Sequence, residues 1–70
     1  MSDVKAQMAG TVLEVLVTEG QAVEEGQDLV CLESMKMQMF LQAEQGGTVS
    51  AVKVGAGDFV NEGDTLIVLA

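Results

Sequence analysis

Residues 10–32 read GTVLEVLVTEGQAVEEGQDLVCL, and residues 47–69 read GTVSAVKVGAGDFVNEGDTLIVL. The two stretches align without a gap at an offset of 37, and 11 of their 23 positions are identical. Each unit predicts a strand (11–17 or 48–54), a turn between two glycines (20–26 or 57–63) and an apolar strand (29–32 or 66–69). We therefore expect a single domain, residues 1–70, that contains two equivalent units.

The apolar positions that both units share predict how the strands fold. In the first unit they are Val12, Val15 and Val17, so strict alternation fails after Val12. A bulge near Leu13, and another near Ser50 in the second unit, would restore the inward face. Neither unit can bury its apolar face alone, so the two should pack as small sheets about a pseudo-two-fold axis. The sequence predicts an all-β, flattened barrel or sandwich.

The composition favours an aliphatic core and excludes several classes of site. Half of the 70 residues are apolar, but Phe40 and Phe59 are the only aromatics, so Val, Leu, Ile and Met should fill the core. The chain has no histidine, and Cys31 is its only cysteine, which excludes a disulfide and a Cys/His zinc site. Cys31 is expected to be buried as a small apolar residue, in a reducing, cytoplasmic setting.

The charge excludes other partners. A net charge of −8, with three lysines and no arginine, argues against nucleic acid and against anionic membrane surfaces. No apolar stretch approaches the roughly 20 residues of a membrane-spanning helix, and the first residues lack the apolar region of a signal peptide.

One segment, residues 33–46, has no counterpart in the repeat, and it contains Glu33-Ser34-Met35-Lys36-Met37. The repeat offset of 37 moves Lys36 to position 73 or to position −1, which lie just after and just before the sequence. Under a two-fold axis, the turn around Lys36 is therefore equivalent to the gap between the two termini. We predict a hairpin turn at Met35-Lys36 at one pole and both termini at the other. A single strand over 29–42 would exceed the usual 3–10 residues. The turn should be strained by ~1–3 kcal/mol, because neither residue favours positive φ.

Lys36 is the only lysine flanked by apolar residues in a predicted turn; Lys5 is expected in a loose N-terminus and Lys53 on an outward strand position. The chain offers no histidine base or metal cluster to make this amine catalytic. Lys36 is therefore predicted to be the substrate of another enzyme. The alternative is a solvated turn lysine between two core methionines.

The chain resembles a known family. The motif at 33–37 is similar to the biotin-attachment motif of biotinyl carrier domains, in which the lysine between two methionines receives biotin through an amide bond. Residues 8–12 and 57–66 resemble the family's opening and closing strands, without the thumb insert of some members. The family often has proline at two positions where this chain has Ala9 and Glu44. The resemblance implies two four-stranded antiparallel sheets, with the lysine on a hairpin turn and the 20–26 turn on the lysine's side.

The resemblance also implies a function. The chain would be a non-catalytic carboxyl carrier, biotinylated on Lys36 by a biotin protein ligase, that moves carboxylate from a biotin carboxylase to a carboxyltransferase. Met35 and Met37 would serve ligase recognition, with Glu33 and Ser34 flanking them. A lipoyl carrier, whose motif usually has Asp before the lysine and a small residue after it, is one alternative. An unmodified adaptor domain of the same fold is the other.

Overall fold

The computed structural model describes residues 2–70, and all of its regular elements are β-strands. The strands are β1 (Ser2–Lys5), β2 (Gly10–Val15), β3 (Ala22–Val23), β4 (Asp28–Ser34), β5 (Met37–Gln42), β6 (Gly47–Val52), β7 (Phe59–Val60) and β8 (Thr65–Leu69). The hairpin sheet has the order β5-β4-β2-β7, and the terminal sheet has the order β1-β8-β6-β3; every pairing is antiparallel. The predicted all-β fold with two four-stranded antiparallel sheets is thus confirmed.

The offset of 37 relates one sheet to the other. It carries β2 onto β6, β3 onto β7 and β4 onto β8, and it carries β1 onto β5, so the two strand orders correspond position by position. The short strands are exchanged: β3 of the first unit pairs with β6 of the second, and β7 pairs with β2. Neither unit therefore completes a sheet from its own residues.

The broken alternation is the result of two equivalent bulges. The pairing of β2 with β4 shifts between Val12 and Glu14, and the pairing of β6 with β8 shifts between Val49 and Ala51. Both predicted bulges are confirmed. The strands end at Val15 and Val52, two residues earlier than predicted, although the N–H groups of Leu16 and Lys53 still donate to carbonyl oxygens of β4 and β8.

The core between the sheets is aliphatic, as predicted. Its largest fully buried side chains are Leu29, Leu32, Leu66, Ile67, Val12, Val30 and Val49. Cys31 is also buried, as expected of a small apolar residue. Methionine contributes less than expected, because Met39 only packs partly buried against the core, and Met8, Met35 and Met37 are exposed. Over residues 2–70 there is no helix long and apolar enough to cross a membrane.

The expectation of a loose N-terminus is wrong. Ser2–Lys5 forms β1, the edge strand of the terminal sheet, with Ser2 opposite Leu69 and Val4 opposite Ile67. This four-residue strand is too short and too polar to give a periodic signal in the sequence. Its position beside β8 brings the two ends of the chain together, as the symmetry predicts.

Candidate functional site

The candidate site is the turn that joins β4 to β5. Ser34 and Met37 face each other as the last pair of the hairpin, which leaves Met35 and Lys36 as a two-residue turn. Their φ angles are 53° and 66°. Positive φ at both central residues is the pattern of a type I′ turn, whose twist matches that of the flanking strands. The predicted reversal at Met35-Lys36 is confirmed.

The turn is strained in a way that the rest of the chain avoids. Elsewhere in residues 2–70 positive φ occurs only at glycines, in the symmetric turns at Gly20, Gly26, Gly57 and Gly63. A residue with a Cβ in the left-handed region costs roughly 1–2 kcal/mol. Because the chain uses glycine at its four other positive-φ positions, the presence of methionine and lysine here indicates a requirement for those side chains.

Both methionines of the motif project into solvent. The side chain of Met35 is 91% exposed and that of Met37 is 67% exposed, and Lys36 is exposed between them. Glu33 is also exposed, and Ser34 is half-buried. The alternative interpretation made Met35 and Met37 core residues on either side of a solvated lysine. It is wrong, because both side chains are exposed to solvent. The apolar groups are presented outward together with the amine.

Gly10 supports the base of the hairpin from the neighbouring strand. A Cβ at this buried position would lie 2.7 Å from the Glu33 carbonyl oxygen and 3.4 Å from Ser34 Cβ, so no larger residue fits without displacing β4. Sequence reasoning missed this role. The signal was present in the identity of Gly10 and Gly47, since Gly47 makes the equivalent approach to the Ala70 carbonyl oxygen at 3.0 Å.

The turn at 57–63, rather than the turn at 20–26, flanks the lysine. Its strand β7 pairs with Gly10 and Thr11, and Thr11 in turn lies opposite Glu33. The turn at 20–26 instead contains β3, which pairs with Gly47 and Thr48 near the chain terminus. The expectation that 20–26 lies on the lysine's side is therefore wrong. Because β3 and β7 are exchanged between the sheets, the turn of the first unit lies near the chain terminus and the turn of the second unit lies near Lys36.

The pole that carries Lys36 presents one nucleophilic group. Across residues 2–70, no group of three or more His, Cys, Asp or Glu side chains is placed to hold a metal ion. What the hairpin offers is a single primary amine at the tip of a rigid support, between two exposed thioethers. The five motif residues predicted from the sequence, 33–37, are brought together in one hairpin.

The chain is similar to several known proteins. The family model described as Biotin-requiring enzyme, of the biotin/lipoyl type, matches residues 2–69. A biotinylated protein TB7.3 homolog from Mycolicibacterium smegmatis is 54% identical over 37 residues, which are 53% of this chain and 52% of that protein. The chain thus spans about half the length of this curated relative.

Two solved structures show the same fold. A single-chain, multi-domain long-chain acyl-CoA carboxylase is 42% identical with a TM-score of 0.89; the match covers 94% of this chain and 7% of that one. The lipoyl domain of the 2-oxoglutarate dehydrogenase complex from Azotobacter vinelandii is 29% identical with a TM-score of 0.84, over 100% of this chain and 96% of that domain. The family match over nearly the whole chain, together with these likenesses, shows that the chain belongs to the Biotin-requiring enzyme family of biotin and lipoyl attachment domains.

Proposed function

We propose that residues 1–70 form a single biotin carboxyl carrier domain and that Lys36 is its biotin acceptor. The observation that carries this proposal is the hairpin tip, where the lysine lies between two solvent-exposed methionines on a strained turn. The family to which the chain belongs and the biotinylated relative support it.

The chain's own part in attachment is to present one nucleophile. The Lys36 amine, once deprotonated, would attack the carboxyl carbon of biotin activated by a biotin protein ligase as the adenylate; an amide bond forms and AMP leaves. Met35 and Met37 would give that ligase an adaptable apolar surface beside the amine, with Glu33 and Ser34 completing the motif. When bound, biotin supplies a ring nitrogen that carries carboxylate.

After attachment, the domain acts by position rather than by catalysis. Its partners in this proposal are a biotin carboxylase, which loads the carboxylate, and a carboxyltransferase, which uses it. Tethering replaces bimolecular encounters by local ones and raises the effective concentration of the carried group. The rigid hairpin fixes the root of the arm. We place this chemistry in the cytoplasm, where a free thiol such as that of Cys31 stays reduced.

Biotin fits the site better than lipoate does. The lipoyl domain shares the fold, but lipoyl motifs usually carry an acid before the lysine, whereas Met35 is neutral and 91% exposed. An exposed carboxylate there would present a charge to the modifying enzyme, and the thioether presents an apolar surface. An unmodified adaptor would not need methionine and lysine at these two positive-φ positions, where glycine would avoid the strain.

Co-expression with a biotin protein ligase tests the proposal. Intact mass should show one biotinyl group, and the formal net charge should change from −8 to −8 − 1 = −9, seen as an anodic shift on a native gel. Lys36→Arg should abolish avidin binding, whereas the control Lys5→Arg with Lys53→Arg should leave it intact. Biotin mapped to Lys5 or Lys53, or lipoylation in place of biotinylation, would overturn the assignment.

A further inference from the structure

The large apolar side chains that are exposed in residues 2–70 are distributed unevenly. Three of the seven are methionines at the lysine's pole, and the other four lie on the outer face of the hairpin sheet. Those four are Leu13, Leu16, Phe40 and Phe59, which are 37%, 37%, 51% and 65% exposed. We call this set the outer apolar face.

The register of the sheet shows that the two aromatics point away from the core. Phe40 lies opposite Cys31 in β4 and is flanked along β5 by the inward-facing Met39 and the buried Leu41. Phe59 lies opposite Thr11 and precedes the buried Val60. Both phenylalanines of the chain are therefore placed on one outer surface rather than in the core.

The two leucines belong to the same surface. Leu13 is the bulged residue of β2, skipped where the pairing passes from Val12 to Glu14. Leu16 lies between the partly buried Val15 and the buried Val17 and bonds to the Leu29 carbonyl oxygen, 2.9 Å away, through its backbone N–H.

The internal repeat supplies a built-in comparison. At an offset of 37, the four members of the outer apolar face correspond to positions on the terminal sheet that are small, polar or charged. The counterparts of Leu13, Leu16, Phe40 and Phe59 are Ser50, Lys53, Asp3 and Ala22. Because the same scaffold folds with those residues, folding does not require apolar side chains at these positions. An apolar patch that the fold does not need marks an interaction surface.

The charges around the outer apolar face select its partner. Glu14 lies opposite Cys31 and Glu33 lies opposite Gln38, so both carboxylates share the outer face with the two phenylalanines. Of the lysines other than Lys36, Lys53 follows β6 in the terminal sheet. Lys5, on β1, lines one cleft with Phe40, but Asp3 and Glu44 line the same cleft, so acids outnumber it there. Two copies would bring like charges together, each at a net −8, so a second copy is disfavoured. A basic protein surface with apolar pockets is complementary.

We propose that the outer apolar face is the surface through which this domain docks on the biotin carboxylase. This inference rests on the proposed function and adds to it where the partner is held. A biotin carboxylase acts on the ring at the end of an extended arm, so it can bind the whole outer face, from Phe59 at the lysine's pole to Phe40 on β5, without enclosing the Lys36 amine. A ligase acts on the amine itself and must enclose the hairpin tip. The carboxylase also binds ATP and bicarbonate, both anions, so the region around its active site must be electropositive.

The test compares two variants of the biotinylated chain as substrates of the biotin carboxylase from the same organism, with labelled bicarbonate. Phe40→Ala with Phe59→Ala should raise the KM for the carrier by about tenfold with little change in kcat, because a few buried aromatics dominate such interfaces. A control at exposed positions of the terminal sheet, Thr48→Ala with Ser50→Ala, should leave KM unchanged. Added salt should raise KM for the wild-type chain. Carboxylation of free biotin serves as an internal reference and should not respond.

Each other result counts against the proposal. An unchanged KM in the phenylalanine variant, or an equal rise in the control, overturns it. A matching fall in the rate of biotinylation assigns the face to the ligase instead, and a dimer that the phenylalanine substitutions dissociate assigns it to self-association. If the chain accepts no biotin at all, the proposed function fails first, which intact mass reveals before any carboxylase assay.

Discussion

Replacing Gly10 by alanine tests whether this position supports the hairpin. The new Cβ would lie 2.7 Å from the Glu33 carbonyl oxygen, and ordinary contact requires the two atoms to separate by roughly 0.5–1 Å. Because that oxygen belongs to the backbone of β4, which is paired on both sides, it can move only by distorting the sheet. Overpacking of this kind costs about 1–3 kcal/mol, and stiffening of the unfolded chain returns about 0.4–1 kcal/mol.

The net destabilisation should be about 1–2 kcal/mol, equivalent to a fall in Tm of roughly 5–15 °C for a domain of this size. Its matched control is Gly47→Ala, whose Cβ would meet the Ala70 carbonyl oxygen at 3.0 Å. This contact is 0.3 Å longer than that at Gly10, so a shift of a few tenths of an ångström relieves it, and Tm should change by less than about 3 °C. Far-UV circular dichroism gives both melts, since the chain lacks Trp and Tyr. A fall in Gly47→Ala equal to that in Gly10→Ala would refute the reasoning.

Three further outcomes are expected. Met35→Asn should raise Tm by about 4–8 °C, because asparagine accepts positive φ at lower cost and about 1 kcal/mol of strain is released; an unchanged melt would mean that the turn is unstrained. Met35→Asp with Met37→Ala should keep the fold, since both side chains are exposed, and should lower biotinylation; global unfolding at room temperature in circular dichroism would contradict this. A six-residue Gly/Ser insertion in the 57–63 turn should slow the ligase, whereas the same insertion in 20–26, or a protein fused at either terminus, should not; equal slowing by all of them would contradict the assignment of poles.

Repetition made much of this fold predictable. The broken parity between Val12 and Val15 implied a bulge, and the structure has it at Leu13 with its equivalent at Ser50. The symmetry placed the turn around Lys36 opposite the gap between the termini, and Ser2 indeed lies beside Leu69. These inferences succeed because a two-fold relation constrains positions that are distant in sequence.

The features that escaped prediction are those whose signal is too short or too local. Two-residue strands such as β3 and β7 have no periodicity to detect, so their exchange between sheets was not foreseen. The missed role of Gly10 depends on an interatomic distance that no pattern encodes. The outward position of Phe40 and Phe59 was available in principle, because their repeat counterparts are Asp3 and Ala22.

The exchanged strand β7 determines when Lys36, the proposed biotin acceptor, has a complete supporting sheet during synthesis. Lys36 is translated midway along the chain, but the strand that closes its sheet beside β2 is translated more than twenty residues later. A ribosome that stalls between them releases a chain that contains the whole motif at 33–37 and lacks an edge of the sheet that supports it. Modification that depends on the folded hairpin is thereby restricted to chains that were translated through the second unit. The interleaving of the two units therefore links the proposed attachment at Lys36 to synthesis of the second unit.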